Sequence, residues 1–424
     1  MKKIANYLVM CLFIIGFSQF SYAQMYGKWV VPIAFDGGSS TAYQLIFSDT
    51  PIVCEQVIPP QPTGNGASPF SAGGYNANYD LNFYIVGDLL FFGNSNSTWT
   101  QTDYGFMPEC QIIQKPNSTN EYYVFYSVFV HHEDQDLCYN IITFDEASGI
   151  ATPSERIVLR GYDIGFGSFA ITEELNNQSY IYAVLTEQDG SVPPDHGLYR
   201  WTISEFGVTD ETSIVTANDS FLVEKDFDAY NLEYKKEIDG SDVIAWTHGI
   251  FNPYQGWDEL DEIVVVTDGD PQIFDLNLGR IGGIEFSTCE DNIIYASCTN
   301  VGIVKLNYLT GVVNNLYTPA TPDYSRTFLQ TAPDGHIYGV SNDGTHLGRI
   351  LQSGTNAGTF EAEGVLSFPY FNSVSTYKIF TDPPLYNELK YYILPENDRV
   401  YVPLQETVVV EPESCPDMYD GEVW

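Results

Sequence analysis

Residues 108–130, PECQIIQKPNSTNEYYVFYSVFV, set two apolar runs on either side of a turn. The runs 110–114 and 122–130 are rich in Ile, Val, Tyr and Phe, the side chains that suit a pleated, half-buried strand. Pro, Asn and Ser in 115–120 favour bent backbone over a continued ladder. The stretch predicts a β-hairpin, and the fold turns on whether that hairpin is one copy of a recurring unit.

It recurs. Past the polar loop 131–136 the pattern predicts a strand at 137–144, a turn at 145–149 and a short outer strand near 157–159, giving four antiparallel strands. A second copy reads as strands at 168–172, 180–186 and 198–204, and a third as 232–234, 243–247 and 262–267. The clearest copy is the fourth, with strands at 284–287, 293–297, 301–307 and 312–317. A fifth begins at 328–331, 336–341 and 347–351, and the upstream runs 81–85 and 89–92 fit the same pattern. No useful window keeps a 3.6-residue period, so the class is all-β.

Units of roughly 40 to 60 residues, each a small antiparallel sheet, are the signature of a β-propeller. One blade cannot bury both of its faces, and stacking blades around an axis does so while accommodating 31 Tyr and 26 Phe. The count from about residue 76 to about 405 predicts seven four-stranded blades, with six or eight as the neighbouring counts. Residues 29–35 and 42–47 are expected to complete the ring by joining the last blade. A pair of β-sandwich domains is the competing architecture, since sandwiches also place strands every 8 to 12 residues.

The chain opens with Met1-Lys2-Lys3, an apolar run over 7–17, and small residues at Ser21 and Ala23, which together read as a signal peptide ending at residue 23. That run is shorter than the ~20 apolar residues a membrane-spanning helix needs. The domain layout is then residues 1–23 as signal, 24–405 as propeller, and 406–424 as a linker or the start of a further C-terminal region. The expected address is secreted or outer cell surface, through the periplasm, with no membrane insertion after cleavage.

The formal charge is −39 with His neutral. A surface this acidic repels phosphates, so nucleic acid is excluded as a partner; it favours solubility, a monomer and attraction for divalent cations. Cys54, Cys110, Cys138, Cys289, Cys298 and Cys415 remain after cleavage, and an exported chain permits disulfides. The pairs Cys110–Cys138 and Cys289–Cys298 are local enough to propose as bridges, although the second is not centred on its turn; buried thiols are the plainer reading.

Chemistry-bearing motifs are sparse. The sequence has no H-E-x-x-H, no G-x-S-x-G and no Gly-rich phosphate loop. The cluster His131, His132, Glu133, Asp134 and Asp136 is a candidate metal site, with His131, Glu133, Asp134 and Asp136 as ligands, although neighbouring side chains on an extended chain face opposite ways and a solvated loop explains it as well. Asp268, Asp270 and Asp275 form an acidic group that would attract Ca2+, yet the EF-hand spacing is missing and no cofactor is expected. For ligand binding, the loops 187–196 and 250–261 stand out, with His196 in the first and Phe251, Tyr254 and Trp257 in the second. Such aromatics stack on sugar rings or protein partners, or else cover a blade end.

The same residues resemble a known family. Asp88-LLFFGNS, Gly105-FMPEC and Gln111-IIQKPNSTNEYYVFYS follow in the order in which the N-terminal propeller region of large secreted Bacteroidota proteins, associated with gliding motility and type IX secretion, shows "NLLFYTDG", "VMPNG" and "IIVPKPGSNNYYYIFT". Gly283-IEFSTCEDNIIYAS and Leu329-QTAPDGHIYGVS are similar to that family's blade starts. The resemblance implies a surface-associated propeller. The functional expectation is a non-catalytic propeller for adhesion, scaffolding or recognition of an extracellular glycan or protein. The alternative is a polysaccharide- or peptide-acting enzyme with carboxylates or a metal on its rim.

Overall fold

The computed structural model describes residues 28 to 367, apart from several connecting segments within that span. The described residues are strands, turns and bends, with no helix among them. Seven antiparallel sheets follow one another along the chain. The first comprises β1 (Lys28–Ala34), β2 (Ser40–Ile46) and β3 (Val53–Gln56). The second comprises β4 (Ser71–Tyr75), β5 (Leu81–Val86), β6 (Leu89–Phe92) and β7 (Ser95–Thr98).

The opening stretch forms β8 (Cys110–Gln114) and β9 (Glu121–Phe129), the inner half of the third sheet. The sheet continues with β10 (Gln135–Asp145), β11 (Ile150–Pro153) and β12 (Ile157–Arg160). Both β11 and β12 pair with β10, at opposite halves of that strand, so they act as one outer strand broken in two. Ser154 sits at the break. Its N–H donates to Ile141 O at 2.8 Å and its hydroxyl accepts the Ile141 N–H at 2.9 Å, which keeps β10 paired across the gap.

The fourth sheet is β13 (Ile164–Ile171), β14 (Ser179–Leu185), β15 (Gly197–Ser204) and β16 (Gly207–Thr216). The fifth is β17 (Asp228–Lys236), β18 (Asp242–Asn252), β19 (Gly256–Thr267) and β20 (Asp270–Asp275). The sixth is β21 (Ile281–Phe286), β22 (Ile293–Cys298), β23 (Gly302–Asn307) and β24 (Val312–Tyr317). The seventh is β25 (Gln330–Thr331), β26 (Ile337–Val340), β27 (His346–Ile350) and β28 (Phe360–Ser367).

Most sheets pack on the next through their first strands, β1 on β4, β4 on β8, β13 on β17, β17 on β21 and β21 on β25, while the third meets the fourth through β9 and β10 on β13. The period of two along each strand explains why both faces are apolar. On β9, Tyr122, Val124 and Tyr126 join Phe83, Ile85 and Leu90 in a core shared with the second sheet. Tyr123 and Phe125, pointing the other way, join Phe169, Ile181 and Trp201 in a core shared with the fourth. The same division holds between the fourth and fifth sheets, the fifth and sixth, and the sixth and seventh. A fully buried Tyr or Phe contributes about 2 kcal/mol, so these slabs supply the main cohesion between sheets.

Serial meander sheets joined face to face define a β-propeller built from blades. Five of the blades have four strands. The expectation of seven uniform blades is corrected in three respects: the third sheet has a split outer strand, the first has three strands, and six sheets, not seven, lie between residues 71 and 367. Residues 28–46 do not complete the last blade either. They pair with each other and with β3.

Candidate functional site

In a blade whose four strands meander, the turn between the first and second strands and the turn between the third and fourth leave at one end. The connection between the second and third strands leaves at the other. Neighbouring blades point the same way. Asn231 on β17 meets Gly282 on β21, and six residues later Glu237 meets Asn292 past the end of β21. Likewise Glu285 meets Thr331 and Thr288 meets Gly335. The molecule therefore has a turn end and a loop end.

The turn end is braced from blade to blade. Asn117, at positive φ in the β8–β9 turn, donates from Nδ2 to Glu205 Oε2 at 3.1 Å in the β15–β16 turn, while the Tyr123 hydroxyl donates to Ser204 O at 2.9 Å. Glu237 accepts the Tyr308 hydroxyl and pairs with Lys235 Nζ at 3.1 Å; Lys235 also donates to Glu290 O at 3.2 Å.

Between the sixth and seventh blades the network is denser. The Ser287 hydroxyl and the Thr288 N–H both donate to Gln352 Oε1, at 2.7 and 3.1 Å, and the Gln352 N–H donates to His336 Nδ1 at 3.1 Å. Tyr338 donates to Asp334 Oδ2 at 2.6 Å, and the His336 N–H donates to Asp334 Oδ1 at 3.1 Å. Burial pushes the Asp334 carboxyl above the usual carboxylate range, against the opposing pull of His336 and Tyr338. Burial also raises the Tyr338 and Tyr295 phenols. An Asp, a His and a Tyr this close resemble an acid–base set. Each is engaged with its neighbours, so the set works as a brace between blades.

A second set of cross-links runs along the first strands. Gln111 Nε2 donates to Phe169 O at 2.9 Å, Asn231 Nδ2 to Gly282 O at 3.2 Å, and the Thr331 N–H to Glu285 Oε2 at 2.9 Å. In each case a buried polar side chain reaches the first strand of the next blade. These residues escape a sequence reading because one polar position in an apolar strand looks like noise. The one available signal is their recurrence in the first strand of successive units.

The loop end differs among blades. In the sixth, residues 299–301 make a tight connection held by Thr299 N–H to Arg280 O at 2.9 Å and Val301 N–H to Cys298 O at 3.2 Å. Gly302 is required there, with φ at 96° and Tyr317 O only 2.0 Å from where a Cβ would stand. The fold can thus close this end in three residues, whereas the fourth blade spends residues 186–196 on the same connection. In the fifth blade the hairpin itself is long. β18 and β19 run for 11 and 12 residues against 6 in β22 and in β23. Pairing persists to Asn252 opposite Gly256, so the hairpin projects about 15 Å beyond its counterpart in the sixth blade.

The residues singled out from sequence map onto this end. Phe251 lies in β18 and Trp257 in β19, near the tip of the projecting hairpin; Tyr254 belongs to its tip segment, outside the described residues. His196 also lies outside the described residues, in the connection between β14 and β15. His131, Glu133 and Asp134 fall between β9 and β10, again outside them, while Asp136 is a buried residue of β10. The topology therefore directs three separately chosen segments to one end of three consecutive blades. Among the described residues no group of three His, Cys, Asp or Glu is arranged to hold a metal. Asp268 and Gly269, both at positive φ, are the two-residue turn between β19 and β20, and Asp275 Oδ1 accepts the Asn277 N–H at 3.0 Å.

Both local disulfide expectations are corrected. Cys110 and Cys138 each lie opposite the same Tyr126, on β8 and β10 with β9 between them. Two strand spacings, about 9.6 Å, exceed the ~7 Å limit between bridged Cα atoms. Burial pushes the Cys138 thiol up to about 12, as it does that of Cys298. Cys289 is disulfide-bonded, but Cys298 remains a thiol at the far end of β22, about 16 Å along the strand from its first residue.

The class defined so far is a β-propeller with a cross-braced turn end and variable connections at the other. No family model and no curated protein matches the chain. Among solved structures it is similar to the α-L-arabinofuranosidase Arb93A of Fusarium graminearum in complex with an iminosugar inhibitor, at 11% identity over 74% of this chain and 88% of that one, with a TM-score of 0.40. It is also similar to Saccharomyces cerevisiae Sqt1, at 10% identity, 79% and 86% coverage and a TM-score of 0.44. A third likeness is to the WD40 β-propeller domain of Doa1, at 11% identity, 79% and 99% coverage and a TM-score of 0.41.

Proposed function

We propose that this chain is an exported recognition propeller, secreted or held at the outer cell surface, whose loop end binds an extracellular glycan or protein. The observation that carries the reading is the long β18–β19 hairpin, which carries Phe251 and Trp257, with Tyr254 between them in sequence, toward the end where the second and third strands of the third and fourth blades also connect. The sixth blade closes the same end tightly, so the added length is not demanded by the fold. Aromatic side chains on projecting segments over a rigid scaffold suit stacking on sugar rings or anchoring a partner protein.

The disulfide at Cys289 supports export, since such bonds persist in oxidising compartments. Together with the signal-like residues 1–23 and the motif order along 88–130, it favours the surface-associated Bacteroidota proteins of gliding motility and type IX secretion as the setting. Binding to a glycan array and to surface extracts tests the reading. Tyr254→Ala is expected to weaken a detected ligand at least tenfold while changing stability by less than about 0.5 kcal/mol. Equal weakening by a turn-end variant would overturn the assignment of the face. Turnover of a chromogenic glycoside that is lost on replacing loop-end acids would replace recognition with catalysis.

A further inference from the structure

The first strands face the axis of a propeller, and here three of them carry buried acids and amides among apolar residues. Glu233 on β17, Glu285 on β21 and Gln330 on β25 are 2%, 3% and 1% exposed. The contacts of Asn231 with Gly282 and of Glu237 with Asn292 bracket Glu233 and Glu285, which therefore stand level to within about one residue rise, ~3.3 Å. Glu233 lies opposite Ala245 and Glu285 opposite Tyr295, so each carboxylate is on the face turned to the following blade. Glu285 Oε1 accepts the Phe286 N–H at 2.9 Å, and Oε2 accepts the Thr331 N–H at 2.9 Å and Gln330 Nε2 at 3.4 Å. This carboxylate lies between the inner edges of β21 and β25. The Gln330 amide is fixed beside it by its nitrogen, and Gln330 Oε1 is buried and accepts no hydrogen bond. Asn231 repeats the arrangement, with Nδ2 on Gly282 O and a buried Oδ1 that accepts nothing. A buried amide oxygen without a donor is unfavourable. A water or a cation would meet it, and two carboxylates at one height favour the cation.

We propose that Glu233, Glu285 and the side-chain oxygen of Gln330 hold a hard divalent cation of the Ca2+ class between the inner strands of the fifth, sixth and seventh blades. The donors are oxygens only, which suits Ca2+ and not zinc, and water completes the roughly six to eight oxygens that such an ion takes. The ion ties three blades together from within. It belongs to the scaffold and not to the loop end, so the site is independent of the recognition reading.

The test is calorimetric titration of the purified, chelator-dialysed protein with CaCl2 in about 0.15 M NaCl, which screens diffuse attraction to the acidic surface. Thermal unfolding with and without the ion accompanies it. One ion per chain is expected, with the unfolding midpoint raised in its presence. Gln330→Ala keeps both carboxylates and should weaken the ion more than about tenfold. Glu285→Gln keeps an acceptor for the Thr331 N–H and should abolish binding, as should Glu233→Gln. Asp270→Asn, at the exposed start of β20, should bind as the parent does. If Glu285→Gln does not fold, Gln330→Ala decides, because it leaves the bonds of Glu285 to both backbone N–H groups in place. No saturable binding by the parent overturns the proposal. So does binding that survives Gln330→Ala and Glu233→Gln unchanged, or that falls with Asp270→Asn.

Discussion

The two ends of the propeller are made from the same blades and obey different rules. At the turn end, side chains from neighbouring blades meet pair by pair: Asn117 with Glu205, Glu237 with Tyr308, Thr288 with Gly335. At the loop end, each blade closes in its own way, tightly in the sixth and by a long hairpin in the fifth. A region that holds its neighbours cannot change length without breaking them, while a region that touches fewer can. Cohesion is thereby assigned to the turn end, and the proposed recognition to the other.

The largest expected effect falls where the loop end does belong to the fold. Gly302→Ala places a Cβ 2.0 Å from the Tyr317 carbonyl oxygen at a φ of 96°, and should cost about 3 kcal/mol in urea unfolding. A cost under 1 kcal/mol would mean that the sixth-blade connection is as adaptable as the others. Next comes Glu237→Ala, which leaves half-buried Lys235 without its carboxylate and the Tyr308 hydroxyl without its acceptor. A loss of about 2–3 kcal/mol is expected, and Glu237→Gln should recover part of it. An Ala variant as stable as the parent would remove the claim that this end braces the blades.

The smallest effect is a change of slope with pH. Burial raises the Asp334 carboxyl, so the folded protein holds that proton more tightly than the unfolded chain does. The associated stability is complete below the ordinary carboxylate value of about 4 and is lost as pH rises through the elevated value. Asp334→Asn keeps an acceptor for Tyr338 and should cost under about 1 kcal/mol at neutral pH. It should also lack the wild type's relative gain on acidification. Parallel stability–pH curves would show that the carboxyl is not perturbed.

Much of this architecture was legible in the chain. The sixth blade was read almost residue for residue, because its four strands are separated by Glu-Asp-Asn and Thr-Gly turns and its first two strands are wholly buried and mostly apolar. Of the strands missed, β3 and β4 lie upstream of the count and most of the rest, β7, β16, β20 and β28, are outer strands. β16 carries Thr209, Asp210, Glu211 and Thr212 along an exposed edge, and a strand that faces solvent loses the alternation that announces it. The partnership of β1 and β2 was misread for another reason: the pattern shows the strands but not whether they join a distant blade or, as here, each other and β3. Gln111, Asn231 and Glu285 were invisible as cross-links, since their acceptors and donors lie 45 to 58 residues away.

The break between β11 and β12 has a bearing on how the protein survives at high concentration. An uninterrupted outer strand offers a row of open amide groups on which another chain can grow. Here Pro153 ends one piece and Ser154 turns its own hydrogen-bonding groups inward to Ile141. Neither four-residue fragment is long enough to seed a stack of foreign strands, although Ile150 and Val158 are each 48% exposed. The interruption protects against aggregation at a rim that its apolar side chains would otherwise make adhesive to copies of itself.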